Sequence, residues 1–279
     1  MIEPFQIRQI IDLALREDIG AGDITTGSVL DGTERGRAAA VAKSGLVIAG
    51  IGVFEAVFLF LDDSISFEGK FRDGETAEKG RTLAEISGGL GSILKAERVA
   101  LNLFQRMCGI ATLTRSYVDA VKGTRSVIVD TRKTVPGLRA LDKYSVRVGG
   151  GRNHRFGLSD GVLIKENHIE AAGGITAAIE RARKNVPHTV RIEVETRNLD
   201  EVGEALRAAA DIIMLDNMDL ESMKKAVGLI AGRALVEASG NISLENVRDT
   251  ALTGVNLISV GGLTHSVHAA DISLLVKRS

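Results

Sequence analysis

The sequence predicts an α/β fold on a parallel sheet, and a closed or nearly closed α/β barrel fits that sheet best. Three observations predict it. Short β-branched apolar runs recur over residues 127–129, 162–164, 190–194, 212–215, 235–236 and 257–260. Each run is closed by polar residues or glycine and followed by a helical stretch, the pattern of strands covered on both faces by helices. Glycine is frequent, at 31 residues against 3 prolines, so tight turns are built from the residue that tolerates any backbone conformation, a habit of repeated βα units. Six strands spaced by roughly 20 to 35 residues suit a barrel. Six rather than eight also leaves a doubly wound sheet open.

Upstream of these repeats the texture is mixed. Residues 5–18 form an amphipathic helix with Ile7, Ile10, Ile11 and Leu15 on one face, stopped by Gly20 and Gly22. Two apolar runs follow, strand-like over 38–49 and helix-like over 53–61. Residues 65–87 alternate loosely and predict short strands with turns at Gly74 and Gly80. The stretch also resembles half of a lipoyl or biotinyl carrier domain, but the Met-Lys or Asp-Lys hairpin of a modified lysine is missing, so it reads as structural. Over 93–121, Leu94, Val99, Leu103, Phe104 and Met107 follow a helical period as one or two helices, with Gly109 as the expected break.

Composition narrows the function. A chain of 279 residues with 44% hydrophobic and 25% charged residues holds one large or two modest domains and is not disordered, fibrous or coiled-coil. The 35 basic residues against 36 acidic ones give no global field for a nucleic acid, and 4% aromatics without tryptophan give no base-stacking surface. The single cysteine, Cys108, excludes a disulfide framework and a cysteine metal site and is expected in the core. No stretch reaches the roughly 18 apolar residues of a membrane span, and acids come too early for a signal peptide. The expected location is cytoplasmic.

The strand ends carry the chemistry. Barrel enzymes place catalytic residues at the carboxyl ends of their strands, and all six candidates end in polar residues or glycine. They are Asp130-Thr131-Arg132-Lys133, Lys165-Glu166-Asn167-His168, Glu193 with Glu195, Asp216-Asn217, Ser239-Gly240-Asn241 and Gly261-Gly262. From Arg132 to His168 there are eight basic residues and three acidic ones in a chain of net charge -1. That excess calls for a ligand with more than one negative group. Gly149, Gly150 and Gly151 ahead of Asn153-His154-Arg155 suit backbone held close to a ligand. Glu193 and Glu195, two apart on a strand, face the same way and with Asp216 suit Mg²⁺ bridged to a phosphate. The two small-residue ends suit a phosphate cradle. His188 and His268 read as solvent-facing, His265 as a neighbour of the last phosphate loop that supports the site rather than acting in it, and His168 as a helix-start hydrogen bond or a ligand contact. Tyr144 reads as packing with its hydroxyl satisfied. No spacing makes a metal site from protein groups alone.

These residues also carry a resemblance. DTRKTVPGLRALDKYSVRVGGGRNHRFGLSDGVLIKENH, then EVET, IIMLDNM, EASGNIS and ISVGGLTHS, with EDIGAGDITT and AERVALNLFQRMCGIAT upstream, resemble the quinolinate phosphoribosyltransferases over nearly the whole chain. Glu166 stands where that family usually has Asp, and Gly262 where Ala is common. The resemblance implies transfer of phosphoribosyl from phosphoribosyl pyrophosphate to quinolinate with decarboxylation, in the biosynthesis of NAD. It implies an N-terminal α/β sandwich over 1–106, joined by 266–279, and an incomplete α/β barrel over 107–265. Thr131, Arg132, Lys133, His154, Arg155 and Lys165 would bind quinolinate and neighbouring phosphate groups, with Arg98 reaching into the adjoining site of a homodimer. Glu195 and Asp216 would hold the ribose hydroxyls and Mg²⁺-pyrophosphate. Ser239, Gly240, Asn241, Gly261 and Gly262 would bind the 5′-phosphate. Lys133, Lys165, Glu195 and Asp216 are the expected catalytic residues. Two other readings use the same parts: a Schiff-base lysine enzyme through Lys133 or Lys165, and an accessory protein of a branch associated with molybdenum transport.

Overall fold

The computed structural model describes residues 3–278. Its elements run α1 (Pro4–Ile19), α2 (Ile24–Val29), β1 (Arg35–Ala42), β2 (Leu46–Val47), α3 (Ile51–Leu61), β3 (Ser66–Gly69), β4 (Thr76–Ala77), β5 (Thr82–Gly89) and α4 (Leu90–Ala120). They continue as β6 (Val127–Val129), α5 (Arg139–Val148), β7 (Val162–Ile164), α6 (Glu166–Ala172), α7 (Ile175–Asn185), β8 (Ile192–Thr196), α8 (Leu199–Arg207) and β9 (Ile212–Asp216). The last are α9 (Leu220–Ile230), β10 (Leu235–Ser239), α10 (Val247–Leu252), β11 (Leu257–Ser259), α11 (Gly262–His265) and β12 (Ile272–Arg278). The chain divides into two compact units, one of residues 3–115, 134–150 and 264–278, the other of 116–133 and 151–263.

The first unit holds an antiparallel sheet in the order β12-β1-β5-β3 and the small pair β2-β4. Alternate β1 residues Gly36, Ala38, Ala40 and Ala42 are buried, the period-2 signature of a half-covered sheet. Phe54, Phe58 and Phe104 are fully buried, with Phe54 stacked on Phe104 at 4.7 Å and edge-on to Phe58 at 5.2 Å. The apolar run over 38–49 is two strands rather than one, because the chain turns at Lys43-Ser44-Gly45 so that β2 can pair with β4. Turns fall at Gly74 and Gly80, both at positive φ, as the spacing predicts.

Gly109 does not break a helix. It lies inside the continuous α4, and a Cβ there would come 2.3 Å from the carbonyl oxygen of His268. Glycine is needed for the close approach of another backbone, a reason invisible in local sequence. Nearby, Arg106 of α4 clamps the fully buried Asp142 of α5 through two hydrogen bonds of 2.9 and 2.8 Å. Tyr144 donates its hydroxyl to Asp73 at 2.6 Å. Cys108 is buried, and burial pushes its thiol up to about 12.

The second unit settles the choice between barrel and doubly wound sheet. Its six strands are all parallel in the order β6-β11-β10-β9-β8-β7. A doubly wound sheet is also parallel, but its strand order reverses partway across. Here each strand from β7 to β11 lies beside its sequence neighbour, and the first strand, β6, pairs with the last, β11. That is barrel closure, with the ladder left open only between β6 and β7. At this seam a single bridge joins Val129 to Arg152. The second unit is an incomplete α/β barrel, and the first is an N-terminal α/β domain.

Candidate active site

The alternation of strands sorts the polar residues by depth. Parallel register sets Glu195 and Glu237 opposite Met214, Glu193 opposite Ile212, and Ser239 opposite Asp216. All of these share the inner face. Glu193 is therefore deepest, Glu195 and Glu237 form the next level, and Asp216 and Ser239 stand at the rim. Glu193 and Glu195 face the same way, as their spacing predicts, but they do different things. Glu195 accepts from Lys165 Nζ at 2.7 Å. Glu193 does not join the rim acids: it is buried with its Oε2 3.0 Å from His154 Nε2.

Glu237 is not among the residues the sequence expects to act, because the apolar run reads as ending at Val236. The signal was the inward period Leu235, Glu237, Ser239, with a charged residue inside a strand. Its side chain is fully buried, 3.7 Å from His154 Nε2. Burial foremost, then the Glu193 charge, push its carboxyl up to about 8, against the pull of His154, Ser259 and Lys165. His154, Glu193 and Glu237 offer ligand atoms within 4.8 Å of one another, a grouping of three distant segments that no sequence spacing could reveal.

The cationic segment is anchored from below. Buried Asp130 accepts from the backbone N–H of His154 at 2.9 Å and from Asn153 Nδ2 at 2.5 Å. Arg155 donates from Nη1 to the Gly161 carbonyl at 2.9 Å, while its buried Nε has no hydrogen-bond partner. Burial and then the neighbouring Arg132 cation lower the Arg155 guanidinium below the usual arginine pKa, with Glu193 and Asp160 opposing. Thr131 Oγ1 accepts the Lys133 N–H at 3.0 Å and tightens that strand end, where Arg132 and Lys133 are exposed. His168 takes the helix-start reading, its Nδ1 accepting the Lys165 N–H at 3.0 Å. His188 and His268 are exposed.

The ends of β9 and β10 interlock. Asn217 and Asn241 both take left-handed backbone, at φ 53° and 51°. Asn217 donates to Asp216 at 2.8 Å and accepts from Asn241 Nδ2 at 3.0 Å. Gly240 sits at φ 93°, and a Cβ there would strike the Asn217 side chain 2.2 Å away, so both backbone angle and space demand glycine. After β11, Gly261 and Gly262 lead into α11, with open space over Gly262. The second unit thus brings together Thr131, Arg132, Lys133, His154, Arg155, Lys165, Glu195, Asp216, Ser239, Gly240, Asn241, Gly261 and Gly262. Arg98 lies in the first unit, exposed on α4.

A parallel barrel whose strand ends carry crowded cations, paired rim carboxylates and glycine-asparagine turns defines an enzyme built for phosphorylated or carboxylated polyanions. The chain belongs to the quinolinate phosphoribosyltransferase family. The family model described as "Quinolinate phosphoribosyl transferase, C-terminal domain" matches residues 110–275, and its N-terminal counterpart matches 23–108. The "Probable nicotinate-nucleotide pyrophosphorylase (carboxylating)" of Bacillus subtilis is 44% identical over 274 residues, 98% of this chain and 94% of that protein. The chloroplastic nicotinate-nucleotide pyrophosphorylase (carboxylating) of Arabidopsis thaliana is 43% identical over 98% of this chain and 83% of its own length. The crystal structure of NadC from Streptococcus pyogenes superposes with a TM-score of 0.96 at 41% identity, covering 100% of this chain and 99% of that one. Among the described residues no helix is long and apolar enough to cross a membrane.

Proposed function

We propose that this protein transfers phosphoribosyl from phosphoribosyl pyrophosphate to quinolinate with loss of CO₂, giving nicotinate mononucleotide and pyrophosphate, a step of NAD biosynthesis. Arg155 carries the reading. A buried guanidinium N–H without an acceptor, pressed by a second arginine, is costly unless an anion arrives. Quinolinate brings two carboxylates to Arg132, Lys133, Arg155 and Lys165. The family's own names for its members agree with this assignment.

The residues account for the steps. The ring nitrogen attacks the anomeric carbon of the ribose, and the bond from that carbon to the pyrophosphate oxygen breaks. Positive charge that builds on the sugar is stabilised by Glu195 and Asp216. These oxygen donors on adjacent strands suit a hard cation, and Mg²⁺ brought with the pyrophosphate would lie beside them and neutralise the leaving group. The alkylated ring is a pyridinium. Its bond to the 2-carboxylate breaks with the electron pair left on C2, and a proton from solvent completes the product. Desolvation and orientation supply most of what that loss needs. Lys133 and Lys165 place the departing carboxylate, and the Lys165–Glu195 pair at 2.7 Å keeps the lysine aimed at the rim. Ser239, Gly240, Asn241, Gly261 and Gly262 hold the 5′-phosphate.

The same reading makes the working form a cytoplasmic homodimer, with the exposed Arg98 of one protomer completing its partner's site. The test is release of CO₂ from quinolinate labelled at the 2-carboxylate, with phosphoribosyl pyrophosphate and Mg²⁺. Release that needs both cosubstrate and metal is the expected result. No release from a folded dimer would overturn the assignment.

A further inference from the structure

The family resemblance puts His154 among the substrate-binding cations, yet both of its ring nitrogens are already engaged. Nδ1 accepts the backbone N–H of Arg155 at 2.7 Å, which places the ring proton on Nε2. Nε2 in turn faces Glu193 Oε2 at 3.0 Å and Glu237 Oε1 at 3.7 Å.

The origin of these three groups gives the arrangement its meaning. His154 follows the lone bridge at Arg152, on the seam where β6 and β7 do not pair. Glu193 and Glu237 rise from β8 and β10, which do not pair with each other or with the seam segment. Glu193 Oε1 and both Glu237 oxygens are buried without a hydrogen-bond partner. Two buried carboxylates so close cannot both be charged at low cost. The groups facing Glu237 are Glu193, His154, Ser259 and Lys165.

We propose that Glu193 and Glu237 are positioning residues: through His154 they form a strut across the barrel that closes the seam and holds Arg155 toward the anionic substrate. This rests on the quinolinate reading for its kinetic consequence, but the strut can be tested without substrate. His154 fixes the backbone N–H of Arg155 through Nδ1.

The experiment compares Glu237→Leu and Glu237→Gln in the full chain. Leucine fills the space but puts no polar atom opposite His154 Nε2, which Glu237 Oε1 faces at 3.7 Å, and should raise the quinolinate KM about tenfold, with kcat and the cosubstrate KM changing less than about threefold. Glutamine, neutral and of the same length, keeps a polar oxygen facing His154 and should restore the quinolinate KM to within about threefold of the parent. A fall in kcat at unchanged KM would make Glu237 part of the chemistry and overturn the proposal, as would equal losses in both variants.

The substrate-free readout is the imidazole ¹⁵N spectrum, with His154 assigned by its loss in His154→Asn. The parent should show His154 locked as the neutral Nε2–H tautomer. Glu193→Gln and Glu237→Leu should release it into tautomer exchange. An unchanged His154 signal in both would refute the strut whatever the substrate is. A responsive His154 in an enzyme that ignores quinolinate would uphold the strut and overturn only the proposed function. One equivalent of divalent cation purifying with the parent and lost from Glu237→Gln would make the cluster a metal site and overturn the proposal.

Discussion

Replacing Glu237 by Gln should make the protein more stable as pH rises, relative to the parent. The parent carboxyl has an ordinary value near 4.5 when unfolded and is held at about 8 when folded, because burial and then Glu193 oppose its charge. Below 4.5 both states carry the proton and nothing changes. Between 4.5 and 8 the folded state keeps a proton that the unfolded state has released, so each pH unit costs the parent about 1.4 kcal/mol. Above 8 both are ionised and the loss stops growing. Integrated over this window, the parent gives up roughly 3–5 kcal/mol that the glutamine variant keeps. Urea unfolding at pH 5, 6, 7 and 8 would measure it, followed by circular dichroism because the chain has no tryptophan. The two free energies should diverge steadily with pH. Parallel curves would mean Glu237 is charged in the folded protein, and the account of the buried cluster would fail.

Three further outcomes follow from the same structure. Arg106→Met removes the two arginine hydrogen bonds from fully buried Asp142 and leaves it the Val135 N–H at 3.3 Å; it should cost roughly 3–5 kcal/mol by thermal or urea unfolding, with Asp142→Asn in the same chain recovering part of it. Gly109→Ala should destabilise by about 1–3 kcal/mol, although alanine is the better helix former, because its Cβ meets the His268 carbonyl at 2.3 Å; a raised Tm would contradict that. Lys165→Ala should lower kcat for quinolinate by about a hundredfold or more rather than only raising KM, as expected of a group acting in the transition state; near-normal turnover at saturating quinolinate would confine Lys165 to binding.

What could be read in the sequence, and what could not, divides along local and non-local causes. The six barrel strands were legible because buried parallel strands are themselves apolar β-branched runs, and the strand-end residues were legible because position along a strand is local. Glu193 and Glu195 share a face for the same reason. Their different depths were not legible, since these depend on the register with β9. Gly109 looks locally like a helix break because its reason lies at His268, far along the chain. Glu237 gives no local signal of its role, because a carboxylate in the middle of an apolar strand makes sense only with His154 across the barrel. His154 itself was found by its motif, but the direction of its ring was set by Glu193 and Arg155.

The order of the strands also bears on how the molecule is made. β7 through β11 can join one after another as they are synthesised, each finding its neighbour already present. β6 cannot, because its ladder partner is β11, the last strand of the barrel. The first unit has the same habit, since β1 at residues 35–42 pairs with β12 at 272–278. Until those late residues leave the ribosome, both units carry an exposed strand edge, and such edges recruit other chains. Slow release or early truncation would therefore leave two adhesive surfaces rather than a shorter enzyme. The long-range pairs β6–β11 and β1–β12 cover these edges only once residues 257–278 have been made.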